Sequence, residues 1–459
     1  MDIRAPLITT VAVPGAALRT LAALSPALYP VLFDSAADGP LSRFSLLAAA
    51  PRAALWRDAE GKLGASGVPI TRSGFLDSLE AWTLHERQGR DNPAGLPFLD
   101  GWIVYLGYEV AAEIERHLKL PHAAVPLSAF ALRVDTLAIH DLASDRVYAV
   151  SPAGAAQSHL RLIADLEAAA APGVGEEPRQ LPLARLAEEA PRRFIERVFA
   201  AKEHIAAGDI YQANLSRPWH LRLEDPADVA HIYTALRAAN PAPFAASVRF
   251  KDMTILSSSP ERLLAISGRE ISTRPIAGTR ARLGSVEEDA RETSELVAHP
   301  KERAEHVMLI DLERNDLGRV CEAGSVEVDE YMVTESYAHV HHIVSNVRGR
   351  LRADASAVTA LRALFPGGTI TGCPKVRCMQ IIAALEGEGR GAYTGSLGWL
   401  GTNGDADFNI LIRTLSVNGS DIELRAGAGI VADSVPEREL EETRAKARGM
   451  LRAFEAPHG

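Results

Sequence analysis

Between residues 244 and 276 four apolar segments, FAASVRF, MTILSSS, RLLAISG and EISTRPI, follow one another across gaps of one or two residues. Such gaps admit only tight turns, whereas a parallel connection needs about a dozen residues or more. The segments are therefore expected to be antiparallel strands. TLAIHDLA and DRVYAVSP repeat the pattern earlier, as two strands joined by a turn around Ser144. Helices are inserted between such runs. SHLRLIADLEAAAAP is amphipathic and stopped by Pro172, and RRFIERVFAAKEHIAAG ends near Gly208, with a strand entering at Ile210. SVEEDARETSELVAHPKERAEHVMLIDLERND holds two helices divided around Pro300, and DIELRAGAGIVADS reads as a strand leading into the helix PERELEETRAKARGMLRAF. Antiparallel runs with inserted helices indicate an α+β fold rather than a regular βαβ repeat. The stretch 172–191, rich in Pro, Gly and Glu without apolar periodicity, is the best linker in the chain.

Composition narrows the function. The 459 residues carry 49 Lys and Arg against 59 Asp and Glu, a net charge of −10, so no overall basic field exists for nucleic acid. Apolar runs are broken by Arg, Asp or Pro short of about 18 residues, so no membrane-spanning helix is expected. The start, MDIRAPLITTVAVPG, lacks the charged-then-apolar progression of a secretory leader. Cys321, Cys373 and Cys378 form no CxxC and cannot all pair, which fits structural thiols in a reducing cytoplasm.

Several constellations could carry chemistry. Glu302 and Glu305 follow Pro300, and Glu439 and Glu442 follow Pro436. Three residues apart on a helix, each pair shares a face. Two such faces meeting would suit Mg²⁺, although the spacing alone better fits a solvated face, with Arg438 and Arg444 near Glu439. FPGGTITGCPKVRCMQII sets a Gly/Thr loop before a helix opened by Pro374 and Lys375, either an anion site or a turn capped by Thr371. It is not a P-loop, and GAGIVA (Gly427 to Ala432) lacks the following strand and acidic residue of a dinucleotide site. In AHVHHIVSNVRG, strand alternation sends His341 and His342 to opposite faces, so with His339 they make a poor metal cluster. A single catalytic imidazole is the sharper reading. STRPIAGTRAR places a Gly-Thr pair between cationic residues.

Taken in order, GDIYQANLSR, ILSSSPERLL, RPIAGTRAR, KERAEHVMLIDLERNDLGRV, HHIVSNVRG, FPGGTITGCPKVRCMQII, YTGSLGWL, IRTL and GAGIVADSVPERELEE resemble the chorismate-utilising enzymes, over roughly residues 195 to 450. The family includes anthranilate, aminodeoxychorismate, isochorismate and salicylate synthases. The resemblance implies a large α+β fold, with antiparallel sheets packed as a sandwich and helices outside. Residues 1–180 would contribute to the same sandwich, and residues 190–459 would form the chorismate-binding catalytic domain. It implies Mg²⁺ held by Glu302, Glu305, Glu439 and Glu442. His342 would lie near the reacting ring, orienting or protonating the leaving group. Tyr393, Arg413 and the backbone near Gly427 and Gly429 would grip a substrate carboxylate. Gly278, Thr279 and Thr369 would line the ring, and Lys375 would add positive charge.

Water-using relatives carry a Lys base where this chain has Gln212, so the resemblance favours the amine-adding branch. Typical aminodeoxychorismate synthases carry PIKGT, whose Lys attacks the ring; here the motif is PIAGT, with Ala277 in its place, as in anthranilate synthases. YQANL, NPAPFAASVRF, LFDSAADGPLSRFSLL and GWIVYLGYEV resemble the aminodeoxychorismate enzymes instead. The expectation is the PIAGT-type subclass of aminodeoxychorismate synthase component I, without a lysine-bound intermediate, and the alternative is anthranilate synthase component I. No cysteine sits in the GxCxG elbow of a glutaminase, so ammonia is expected from a separate glutamine amidotransferase subunit.

Overall fold

A computed structural model describes residues 5–89, 92–174, 181–226, 229–282, 300–336 and 340–455, together with Asp289, Arg291 and Ser294. Two antiparallel sheets dominate it. Among the described residues, one has 12 strands and the other 11. About 31% of the chain is helical and 34% is strand. The four consecutive strands expected between 244 and 276 are present, and they divide between the sheets. Phe244–Phe250 and Met253–Ser259 pair in the larger sheet; Arg262–Ser267 and Glu270–Arg274 pair in the smaller. The hairpin around Ser144 joins Leu137–Asp141 to Arg146–Ser151.

The sheets face each other across a core of aromatic and β-branched side chains. Val31, Val248 and Ile255 from one sheet meet Ile103, Tyr105, Phe130 and Leu132 from the other, all buried. Strand alternation produces this segregation, since successive side chains point to opposite faces. The outer face of the larger sheet is covered by the helices Ala16–Leu24, Ala156–Ala169, Val229–Ala239 and Pro436–Leu451. Phe75–His85, Pro300–Gly318 and Ala357–Leu364 cover that of the smaller sheet. Strands between Leu7 and Ser151 enter both sheets.

The stretch expected as a linker contains an edge strand, Leu183–Glu188, paired to Gln212–Leu223. Its side chains are mostly exposed, so it carries no apolar periodicity; a ladder of backbone hydrogen bonds holds it, with Glu188 paired to Arg217 and Arg444 at its end. Most of the helix expected before Pro300, and His339, lie outside the described residues. The helix after Pro300 forms as expected, over Pro300–Gly318.

Candidate active site between the sheets

The site begins at one end of the larger sheet. Gln212–Leu223 pairs with Asp421–Ile430, setting Asn214 opposite Gly429 and Ser216 opposite Gly427. Alternation puts Gln212, Asn214 and Ser216 on one face with these two glycines. A Cβ on Gly429 would lie 2.6 Å from Gln212 Nε2; one on Gly427 would lie 2.5 Å from the Tyr393 hydroxyl and 2.6 Å from the Leu215 carbonyl oxygen. The missing side chains let Gln212 and Tyr393 close over the strand. Gln212 Nε2 donates to Glu305 Oε1 at 2.9 Å, which brings the Pro300–Gly318 helix to this end of the sheet. The Tyr393 hydroxyl donates to Asn214 Oδ1 at 3.4 Å, and burial pushes that phenol up to about 12, so it remains protonated.

These contacts separate the effects of two substitutions. Gly427→Ala drives a methyl into a backbone carbonyl, so the strand must shift, and a stability loss of about 1–3 kcal/mol is expected in urea unfolding. Gly429→Ala meets the movable end of Gln212, so stability changes little while turnover falls. Equal stability losses in the two variants would contradict this assignment.

The facing wall belongs to the smaller sheet. Ile276–Ala281 pairs with Val340–Arg350, with Thr279 opposite His342 and a register shift at Gly278, whose φ is 69°. The Gly278 carbonyl accepts a hydrogen bond from the His342 imidazole. Burial, reinforced by Arg413, pushes His342 down to about 4. The ring is thus neutral near pH 7. It can orient a hydroxyl, but as the donor of a proton it is poorly matched to neutral pH.

Glu261 lies where the chain leaves Met253–Ser259 in one sheet and enters Arg262–Ser267 in the other. Burial pushes its carboxyl up to about 7, against the opposing effects of Thr369, the Ile276 N–H, Arg413 and Lys446. Arg413, half-buried at φ 50°, is the cation facing it. Among the described residues, no carboxylate lies within ion-pair distance of the Arg413 guanidinium. A buried carboxyl raised to about 7, a guanidinium with no described carboxylate at ion-pair distance and a neutral imidazole are the groups an anionic, hydroxyl-bearing ligand would call for.

Residues 32–452 match the family of chorismate binding enzymes. The chain belongs to that family. An anthranilate synthase component I-like protein of Synechocystis sp. is 39% identical over 428 residues, 92% of this chain and 85% of that one. Aminodeoxychorismate synthase component 1 of Bacillus subtilis is 50% identical over 264 residues, 57% of this chain and 55% of its own. The crystal structure of anthranilate synthase component I from Streptococcus pneumoniae TIGR4 matches with a TM-score of 0.79 at 32% identity, covering 90% of this chain and 93% of that one.

In this chorismate binding enzyme the remaining site candidates divide. Lys375 Nζ donates to Asp316 and, at 3.1 Å, to the Leu364 carbonyl, so its charge is engaged by a buried acid rather than offered to a ligand. Glu442 pairs with Lys446 at 2.7 Å, and Lys446 also donates to the Gly427 carbonyl at 3.0 Å. Glu439 is on the same helix, Pro436–Leu451, one turn earlier. Glu302 is on the helix of Glu305, but its side chain, like those of Ala277 and Thr279, is outside the described residues. Among the described residues no three acidic, His or Cys side chains converge as a ready cage. The donors nevertheless fit Mg²⁺ in kind: carboxylate oxygens on two helices beside the glycine strand, for an ion that keeps several waters and shares its ligands with anionic substrates. No helix among the described residues is long and apolar enough to cross a membrane.

Glu261, Asn214 and Lys446 are site residues that the sequence reading did not single out. Glu261 stood inside ILSSSPERLL, where nothing local distinguishes it from other charged residues. Lys446 had a visible signal, four residues after Glu442 on one helix face.

Proposed function

We propose that this enzyme is the chorismate-using component of an aminodeoxychorismate synthase. Gln212 carries the argument for ammonia as the nucleophile, and the segments YQANL, NPAPFAASVRF and GWIVYLGYEV carry the choice of aminodeoxychorismate over anthranilate. The Gln212 amide donates to Glu305 at the site, and an amide has no basic lone pair with which to deprotonate water. Ammonia is already nucleophilic and needs no such base. In this reading it arrives from a separate glutamine amidotransferase subunit.

The steps then follow from the side chains. Arg413 and the backbone at Gly427 and Gly429 hold a substrate carboxylate. Mg²⁺, held by Glu302, Glu305, Glu439 and Glu442, would when bound neutralise a ring carboxylate and make the ring more electrophilic. Ammonia adds at ring carbon 2 while the carbon 4 hydroxyl leaves as water, with Glu261 giving the proton and His342 orienting the departing oxygen. A second ammonia adds at carbon 4 and expels the first amine, so one chorismate and one ammonia yield one aminodeoxychorismate and one water. Ala277 rules out a lysine adduct at its position.

A second reading is anthranilate synthase component I, favoured by the names of the Synechocystis and Streptococcus proteins. One incubation separates them: protein, chorismate, Mg²⁺ and ammonium, with chromatography of the products. Aminodeoxychorismate, converted to p-aminobenzoate by an added lyase, is expected; anthranilate with pyruvate overturns the proposal. The metal assignment has its own test. Glu439→Ala should weaken Mg²⁺ binding in calorimetry by about tenfold or more and abolish metal-dependent turnover. Unchanged Mg²⁺ affinity would remove Glu439 from the ligand set.

A further inference from the structure

On the helix-covered face of the larger sheet, opposite to the face that carries Gln212 and Gly427, lies a cavity of about 400 Å³. Its floor is built from three neighbouring strands. Ser247 stands between Leu32 and Leu256, and Arg249 stands opposite Thr254. The roof is formed by the helices Ala16–Leu24 and Val229–Ala239, which contribute Arg19 and, from the second, Tyr233 and Arg237.

The charge of the lining is one-sided. Arg19, Arg237 and Arg249 line the cavity, and among the described residues no Asp or Glu does. Arg237 is anchored from behind, donating from Nε to Asp34 Oδ2 at 2.7 Å, and the Tyr233 hydroxyl donates to the same oxygen at 3.0 Å. Arg19 and Arg249 differ. Both are half-buried, and among the described residues neither has a carboxylate within ion-pair distance. Among the described residues, two half-buried guanidinium groups thus line one cavity with no carboxylate paired to either.

We propose that this cavity binds a small organic anion. An oxyanion group, phosphate or carboxylate, would bridge Arg19 and Arg249, whose planar forks suit either. An apolar body would lie on Leu32 and Leu256, and the volume falls within the range of small-molecule sites, about 300–1,000 Å³. The ligand would tie the roof helix Ala16–Leu24 to the strands beneath it and so stabilise the native state.

The test uses the whole chain with three probes: phenyl phosphate, benzoate and inorganic phosphate, in calorimetry and thermal unfolding. One aryl anion should bind saturably with one site outside the active centre, about tenfold tighter than inorganic phosphate. Tighter binding of phenyl phosphate identifies a phosphate ligand, and of benzoate a carboxylate. Arg19→Gln on the roof and Arg249→Gln on the floor should each weaken that binding about tenfold or more, with chorismate turnover unchanged. Binding that survives both substitutions, or no saturable binding of any probe up to roughly 10 mM, overturns the proposal.

Discussion

Glu261→Gln is expected to lower chorismate turnover by roughly 10²–10⁴-fold, the usual contribution of a positioned proton donor. It is also expected to make the protein more stable at alkaline pH. Both effects have one cause. Burial raises the carboxyl from the ordinary 4.5 to about 7. The folded state therefore keeps a proton that the unfolded chain loses, and stability falls as pH rises from about 4.5 through about 7. A gap of that size is worth about 3 kcal/mol, fully lost above pH 7. Gln carries no titration, so the variant should match the parent near pH 4.5 and exceed it by up to about 3 kcal/mol at pH 8 in metal-free urea unfolding. Glu313, also pushed to about 7 by burial and by Asp316, retains its own share of the slope in both proteins. The parent's turnover should decline above pH 7 as the donor ionises. A variant with altered stability but undiminished turnover would make Glu261 a structural residue and return the proton transfer to another group.

Glu386→Ala should cost about 3–5 kcal/mol of unfolding free energy, because it leaves buried positive charge without a partner. Glu386 Oε1 accepts from the Ser216 N–H at 2.7 Å and from Arg390 Nη2 at 2.6 Å; Oε2 accepts from Arg390 Nε at 2.9 Å and lies 3.5 Å from Arg425 Nη2. The Glu386 and Arg390 side chains are each 1% exposed. Burial alone would raise the carboxyl, and the two guanidinium groups overcome it, holding it below the ordinary value. The consequence reaches the active site, since Arg390 Nη2 also donates to the Asn214 carbonyl at 2.6 Å, and Asn214 holds the Tyr393 hydroxyl. Folded Glu386→Ala protein should therefore show a raised KM for chorismate. Glu388→Ala provides the contrast: Glu388 meets Arg425 from a 40% exposed position, and its loss should cost less than about 1 kcal/mol. Equal losses from the two variants would deny the buried cluster its special role.

Much of this architecture was legible along the chain. The closely spaced strands of 244–276, the helix after Pro436 and the glycines of GAGIVA follow from local patterns, and local sterics and turn length enforce them. The strand Leu183–Glu188 was not legible, because an exposed edge strand has no buried face to write into the sequence. Lys375 was legible as a cation beside a glycine loop but not as the partner of Asp316, which lies 59 residues away. His342 was legible as a lone imidazole, while its neutrality depends on Arg413 and on burial between two sheets.

The sequence by itself determined the α+β antiparallel class and the chorismate binding family, since these depend on neighbours a few positions apart. The tertiary structure alone decided which carboxyl is raised toward neutral pH, which lysine is already engaged, and which arginines line a cavity with no described carboxylate paired to them. Those properties depend on desolvation and on partners brought from distant segments, as when the turn at Glu261 meets Thr369 and Arg413. The local pattern that builds a strand carries no information about what will stand opposite its end.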